Sequence, residues 1–350
     1  MDNFDQYIIQ QSASILEAMA KIDKQSGSMI LTLFVLDDRG VVLGTITDGD
    51  CRRAILRGMQ LTDTVAKVYN AHFTSLTNDT FDLAKQRMIR AKRYKIVPVL
   101  DSEGRMVKLL DFQHKKAYLP IDAVLMAGGR GERLRPATLT TPKPLLEVAG
   151  KPIIDYNVDN MLNHGIEHIS VTTNYLAEQL DAHFASPIEG IQVQTVREPK
   201  FLGTMGAIKF VENWHNDTIL IMNSDLFTNI DLEDFFLHFK EHDADMSIAA
   251  VPYSVNIPYG IFEIEGTRNI VGVHEKPAYH YYANAGIYLI KRELLNLIPE
   301  DTFFNATDLM ALLIEQKRSV IRFPLSGYWI DIGKPEDFKK VQELAKHTRK

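Results

Sequence analysis

Ala123-Val124-Leu125-Met126-Ala127, a run of apolar residues, passes directly into Gly128-Gly129-Arg130-Gly131. A short apolar run closed by glycines reads as a buried strand rather than a helix. Three glycines in four positions leave backbone N–H groups, and little side chain, at the strand's C-terminal end. Further strand-like runs at 168–172 and 218–222 alternate with a helix-like stretch at 154–164. That alternation predicts an α/β domain with a mixed, largely parallel sheet.

The first third has a different organisation. Val35-Leu36-Asp37-Asp38-Arg39-Gly40 recurs as Val99-Leu100-Asp101-Ser102-Glu103-Gly104, an offset of 64 residues. Each copy is a polar turn between two apolar runs, the pattern of a hairpin, and each follows a helix-like segment, at 15–22 and 81–89. The polar, basic stretch 112–118 separates this α+β repeat from the strand that begins near Ile121. Two domains are therefore expected, 1–118 and 119–350, which suits a chain of 350 residues.

Net charge is −6, made up of +3 over residues 1–118 and −9 over the remainder. That balance argues against general nucleic-acid binding, which needs a basic face. The single cysteine, Cys51, rules out an intrachain disulfide and suits a reducing, cytoplasmic setting. The start, Met1-Asp2-Asn3-Phe4-Asp5, is acidic with no apolar run, so no signal peptide is expected. No stretch approaches the roughly 18 apolar residues of a membrane span.

The glycine turn is followed by Glu132-Arg133-Leu134-Arg135-Pro136, and then by Thr141-Pro142-Lys143-Pro144-Leu145-Leu146. Arg130, Arg133 and Arg135 supply guanidinium forks that match phosphate oxygens, and Lys143 is a cation held between two prolines. Neither the G-x-G-x-x-G spacing nor a Gly-Lys-Ser/Thr is present. The combined run resembles the signature of the sugar-1-phosphate nucleotidylyltransferases over about residues 120–340. It departs at Glu132, where that family usually has Thr; this carboxylate is expected to point outward.

The resemblance implies a Rossmann-like, GT-A-like nucleotidyltransferase domain in which Ala127, Gly128, Gly129, Gly131, Glu198 and Gly203 bind the nucleotide. It makes Arg133, Lys143 and Asp225 catalytic, and gives Mg²⁺ to Asp225 (in Asn223-Ser224-Asp225) and Asp331 (in Trp329-Ile330-Asp331-Ile332-Gly333). Gly260, Glu275-Lys276-Pro277 and Asn284-Ala285-Gly286 correspond to the sugar-phosphate side, with Lys276 on the phosphate. The attacking phosphate oxygen is already an anion, so no protein base is needed, and positioning and charge stabilisation suffice.

Glu198 lies where the family reads the base edge. An ionised carboxylate can accept from guanine's two adjacent donors, whereas an amide suits uracil or thymine. GTP is therefore favoured, with UTP, dTTP or CTP as the alternative. A nucleotide-binding sensor without turnover is the rival from another class.

Gly44-Thr45-Ile46-Thr47-Asp48-Gly49-Asp50 resembles the end of a CBS motif, and residues 1–118 resemble a CBS pair. That resemblance implies an adenine nucleotide contacted by Thr47 and Asp50, and a homo-oligomer. In the second repeat Asp111 and His114 take those two places, so one competent site is expected. A CBS pair that mainly dimerises fits the same residues. The joined architecture resembles bacterial guanylyltransferases of surface-glycan and nonulosonate synthesis, with mannose-1-phosphate or glucosamine-1-phosphate as substrate.

Overall fold

The computed structural model describes residues 4–25, 30–78 and 81–348; Met1, Asp2 and Asn3 of the acidic start lie outside them. The chain divides into two compact units, 1–117 and 118–350.

The repeat is visible in the first unit. β1 (Ile8–Gln10) pairs parallel with β2 (Thr32–Leu36), which forms a hairpin with β3 (Val42–Thr47); α1 (Ile15–Asp23) lies between β1 and β2 in sequence, and α2 (Asp48–Leu56) follows β3. β4 (Leu76–Thr77), α3 (Leu83–Ala91), β5 (Ile96–Leu100) and β6 (Met106–Asp111) repeat the pattern. Both hairpins bulge at equivalent points, Val35/Leu36 and Val99/Leu100. Both are closed by an Asp. Asp37 Oδ1 accepts the Arg39 and Val41 N–H groups at 2.9 and 2.8 Å, and Asp101 Oδ1 accepts those of Glu103 and Arg105 at 2.9 and 2.8 Å. These Asx turns explain why the Asp recurs with the apolar runs.

In the second unit β7 (Asp122–Ala127) is an interior strand of a seven-stranded sheet. A small hairpin, β8 (Glu147–Val148) and β9 (Lys151–Pro152), leads into α4 (Ile153–Asn163), β10 (His168–Thr173), α5 (Ala177–His183) and β11 (Gln194–Arg197). Then come α6 (Gly203–Gly206), β12 (Thr218–Asn223), β13 (Leu226–Thr228) and α7 (Leu232–Glu241). The remainder comprises β14 (Met246–Asn256), β15 (Ile261–Glu265), β16 (Asn269–His274), β17 (Ala278–Lys291), α8 (Ala306–Glu315), β18 (Val320–Pro324), β19 (Trp329–Asp331) and α9 (Pro335–Thr348).

The sheet order is β11-β10-β7-β12-β17-β14-β18, with only β17 antiparallel to its neighbours. Central strands covered on both faces need continuous apolar runs, and Ile219-Leu220-Ile221-Met222 of β12 is buried throughout. Because β7, β10 and β12 are parallel, their C-terminal ends lie at one edge of the sheet. Ligands bind at that edge in open α/β sheets.

At the other end of β7, Asp122 is 3% exposed and accepts from the His215 and Asn216 backbone N–H groups (2.7 and 3.0 Å) and the Asn216 amide (2.7 Å). Asp122→Ala would leave those donors without their acceptor. It is expected to cost about 3 kcal/mol of stability, read from urea unfolding. No described helix is long and apolar enough to cross a membrane.

Candidate active site

The turn after β7 is built around glycine. Gly131 has φ +59, and a Cβ there would lie 3.0 Å from Thr138 Cγ2 and 3.1 Å from Lys143 Cβ. Thr138 Oγ1 donates to the Gly131 carbonyl at 2.8 Å, and Tyr175 Oη donates to the Thr138 carbonyl at 3.0 Å, so the turn is held in place. A Cβ on Gly128 would fall 2.2 Å from Glu198 Oε1. The missing side chain at 128 is what lets the carboxylate of Glu198 approach the loop.

Lys143 sits in a 3₁₀ turn, Lys143–Leu145, and is 8% exposed. Its ammonium bonds the Asp225 carboxylate and is 3.5 Å from Asp331 Oδ1. The two aspartates are neighbours because β13 pairs antiparallel with β19, setting Leu226 opposite Asp331. Arg133 joins them: its guanidinium nitrogens come within 3.1–3.2 Å of where a Cβ on Gly333 would stand. Burial and the charge of Asp225 push the Asp331 carboxyl above the usual carboxylate range, against the opposing pull of Lys143 and Arg133.

Of these groups Arg133, Lys143 and Asp225 line a cavity of about 540 Å³, while Asp331, next to Lys143, is outside its lining. Ala127, Gly128, Gly129, Gly131, Arg133, Lys143, Glu198, Gly203 and Asp225 all line it. Glu198 is 5% exposed; its Oε2 accepts the Leu202 N–H at 3.1 Å, and burial raises its pKa. Glu132 is exposed, pairs with Arg135 at 3.3 Å and also borders the cavity.

Gly260, Glu275 and Lys276 are exposed and outside the cavity lining, with Gly260 against Glu275 Oε2. The Asn284 side chain is engaged within its own strand: Oδ1 accepts the Gly286 N–H, and Nδ2 donates to Tyr288 Oη, both at 2.9 Å. Gly286, at φ +72, makes room for the Asn223 carboxamide, which does line the cavity. Asn223, Thr204 and Phe201 are lining residues that sequence reasoning did not single out. Asn223 carried a signal, standing two residues before Asp225 at a strand's C-terminal end.

Asp225 Oδ1 and Asp331 Oδ1 are buried and accept no hydrogen bond. Two hard oxygen donors without hydrogen bonds, on carboxylates that share Lys143, suit a Mg²⁺ ion. Asp122, His168 and His215 also cluster. Asp122 and His168 begin β7 and β10 and His215 precedes β12; the two imidazoles stack in parallel at 3.6 Å, and Asp122 is occupied as a loop anchor. Parallel rings do not aim their nitrogens at a common point.

The nucleotidyl transferase family model matches residues 122–348. The chain belongs to that family. A CBS domain model matches residues 5–57, the first of the two repeats. Among relatives of this nucleotidyl transferase, the mannose-1-phosphate guanylyltransferase of Mycobacterium tuberculosis is 31% identical over 225 residues, 62% of each chain. The mannose-1-phosphate guanyltransferase of Yarrowia lipolytica is 31% identical over 231 residues, 61% of each chain. The chain thus spans about 62% of the length of the curated relatives it matches. A solved structure from Bacillus anthracis, assigned as a glucose-1-phosphate thymidylyltransferase, aligns with a TM-score of 0.52 at 24% identity. It covers 64% of this chain and 95% of that one, and it supports the fold alone.

In the first unit a cavity of about 630 Å³ is lined by Thr47, Asp50, Arg53, His72, Arg93 and Lys95, among others. Thr47 caps α2: its Oγ1 accepts the Asp50 N–H at 3.3 Å and donates to Asp50 Oδ2 at 2.6 Å. Asp50 Oδ1 pairs with Arg53 at 2.6 Å. At the equivalent place in the second repeat, His114 and Asp111 pair at 2.7 Å, and among the described residues of this unit no helix follows β6.

Proposed function

We propose that this chain transfers a nucleoside monophosphate from a nucleoside triphosphate, with GTP preferred, to a sugar-1-phosphate, releasing pyrophosphate. The observation that carries the reading is the meeting of Lys143, Arg133 and Asp225 beside a glycine turn in one cavity, with Asp331 next to Lys143. The glycine turn offers backbone N–H groups to phosphates, and Arg133 and Lys143 offset the charge of the triphosphate and the departing pyrophosphate. The sugar phosphate oxygen attacks the α-phosphorus in line, and the P–O bond to pyrophosphate breaks. Mg²⁺ held by Asp225 and Asp331 would supply further charge stabilisation on the phosphates. The names of the relatives favour mannose-1-phosphate, with glucosamine-1-phosphate as the other sugar to test.

Glu198 supports guanine. It is a buried carboxylate in the cavity wall whose Oε2 accepts from the Leu202 N–H, and a carboxylate has acceptor capacity beyond that one bond. Glu198→Gln is expected to cut the preference for GTP over UTP by about 10–100-fold, the value of a hydrogen bond to a charged group. Competing the two nucleotides in a pyrophosphate-release assay reads it; an unchanged ratio removes the argument for guanine.

For the first unit, which we divide from the second at residue 118, the reading is an adenine nucleotide in the cavity at Thr47 and Asp50. The cationic Arg53, Arg93 and Lys95 support it. Asp50 is already held by Thr47 and Arg53, so a ribose must displace part of that network. Calorimetry with AMP, ADP and ATP is expected to show binding of one of them; no heat with any leaves Thr47 and Asp50 as a helix cap alone.

A further inference from the structure

β14 and β17 run beyond the core sheet as a two-stranded ribbon, and the β15–β16 hairpin lies between them in sequence. In the hairpin, Phe262 pairs with Val273 and Ile264 with Ile270, so these four side chains share one face; Glu263, Glu265 and His274 belong to the other. In the ribbon, Tyr253 pairs with Tyr281 and Val255 with Tyr279, giving a second uncharged face. An amphipathic strand pair normally lays its apolar face on a core. Here the hairpin face is 55–61% exposed at every one of its four positions, and the ribbon face 38–58%.

We propose that this arm is a dimerisation element, and that a second copy of the chain covers both faces. Eight half-exposed side chains of this size offer about 800 Å² of apolar surface over the two faces together. About 800 Å² per partner is the share of a standard stable interface. The presence of two such faces on one arm selects the occupant. Across a two-fold axis the hairpin face of each copy lies on the ribbon face of the other, so all four faces are covered by one isologous contact. Neither face carries a charged side chain, so self-association brings no like charges together. Coverage would also stabilise the arm itself, since a lone two-stranded ribbon is marginal in water.

Light scattering on the full chain at about 50 µM, above the micromolar limit for interfaces of this size, tests the proposal. The wild-type mass is expected to be a multiple of 39.8 kDa. It is expected to halve in Phe262→Ser/Ile264→Ser and equally in Tyr253→Ser/Tyr281→Ser, because both faces belong to one contact. Circular dichroism confirms that each variant is folded, and Ile314→Ser, another exposed apolar site, should leave the mass unchanged. A wild-type mass of one chain overturns the proposal and leaves a different protein as the arm's partner. A mass that neither double variant changes overturns it too, and assigns any assembly to another surface.

Discussion

Asp225→Asn is expected to lower the rate of pyrophosphate release by about 10³-fold, the several kcal/mol that a bound divalent cation contributes to a developing charge. The substitution keeps the shape of the side chain and removes its charge, so Tm should move by only a few degrees. Asp225 contributes one of two buried carboxylate oxygens that accept no hydrogen bond. Its loss should therefore raise the Mg²⁺ concentration needed for half-maximal rate while leaving the glycine turn, and the affinity for nucleotide in the absence of metal, intact. A variant as active as the wild type at the same Mg²⁺ would remove Asp225 from the reaction.

Lys143→Ala carries the second large effect, a loss of about 10²–10³ in kcat, as for removal of a preorganised donor at a developing anion. Its signature toward metal runs the opposite way. In the free protein the ammonium bonds Asp225 and stands 3.5 Å from Asp331, so it occupies the position of a cation between two carboxylates. Without it the two negative charges face each other, and the metal-free variant should be less stable than the wild type. Mg²⁺ should then raise Tm further in Lys143→Ala than in the wild type, since a ligand that binds only the folded state stabilises it in proportion to its affinity. Slow turnover combined with stronger stabilisation by Mg²⁺ separates a phosphate-binding role for Lys143 from a purely structural one.

The part of this site that could be read from sequence is the part made of local chemistry. Gly128 to Gly131 follow one strand without interruption, and Lys143 is fixed by its own two prolines, so their arrangement depends on few distant contacts. Asp225 and Asp331 were brought together in sequence only by the family resemblance, because their adjacency depends on the β13–β19 pairing across about 100 residues of chain. The repeat in the first unit was legible because the same Asx turn closes both hairpins.

On the sugar side the placement of the expected residues depends on tertiary context. The side chain of Asn284 is turned to its own strand by Gly286 and Tyr288, a choice set by the left-handed backbone at 286. Glu275 and Lys276 belong to an arm whose strands extend past the core. Alternation in such strands gives a hydrophobic face but not what covers it. The antiparallel insertion of β17 between β12 and β14 likewise has no local signal, since a buried strand reads the same in either direction.

The most direct test of the account is pyrophosphate release with Mg²⁺, crossing GTP, UTP, CTP, dTTP and ATP with mannose-, glucosamine- and glucose-1-phosphate. Release with GTP and one sugar phosphate, lost in Asp225→Asn, is the predicted result. Silence in every combination, including with AMP added to engage the first unit, would contradict it and leave the cavity as a binding site without turnover.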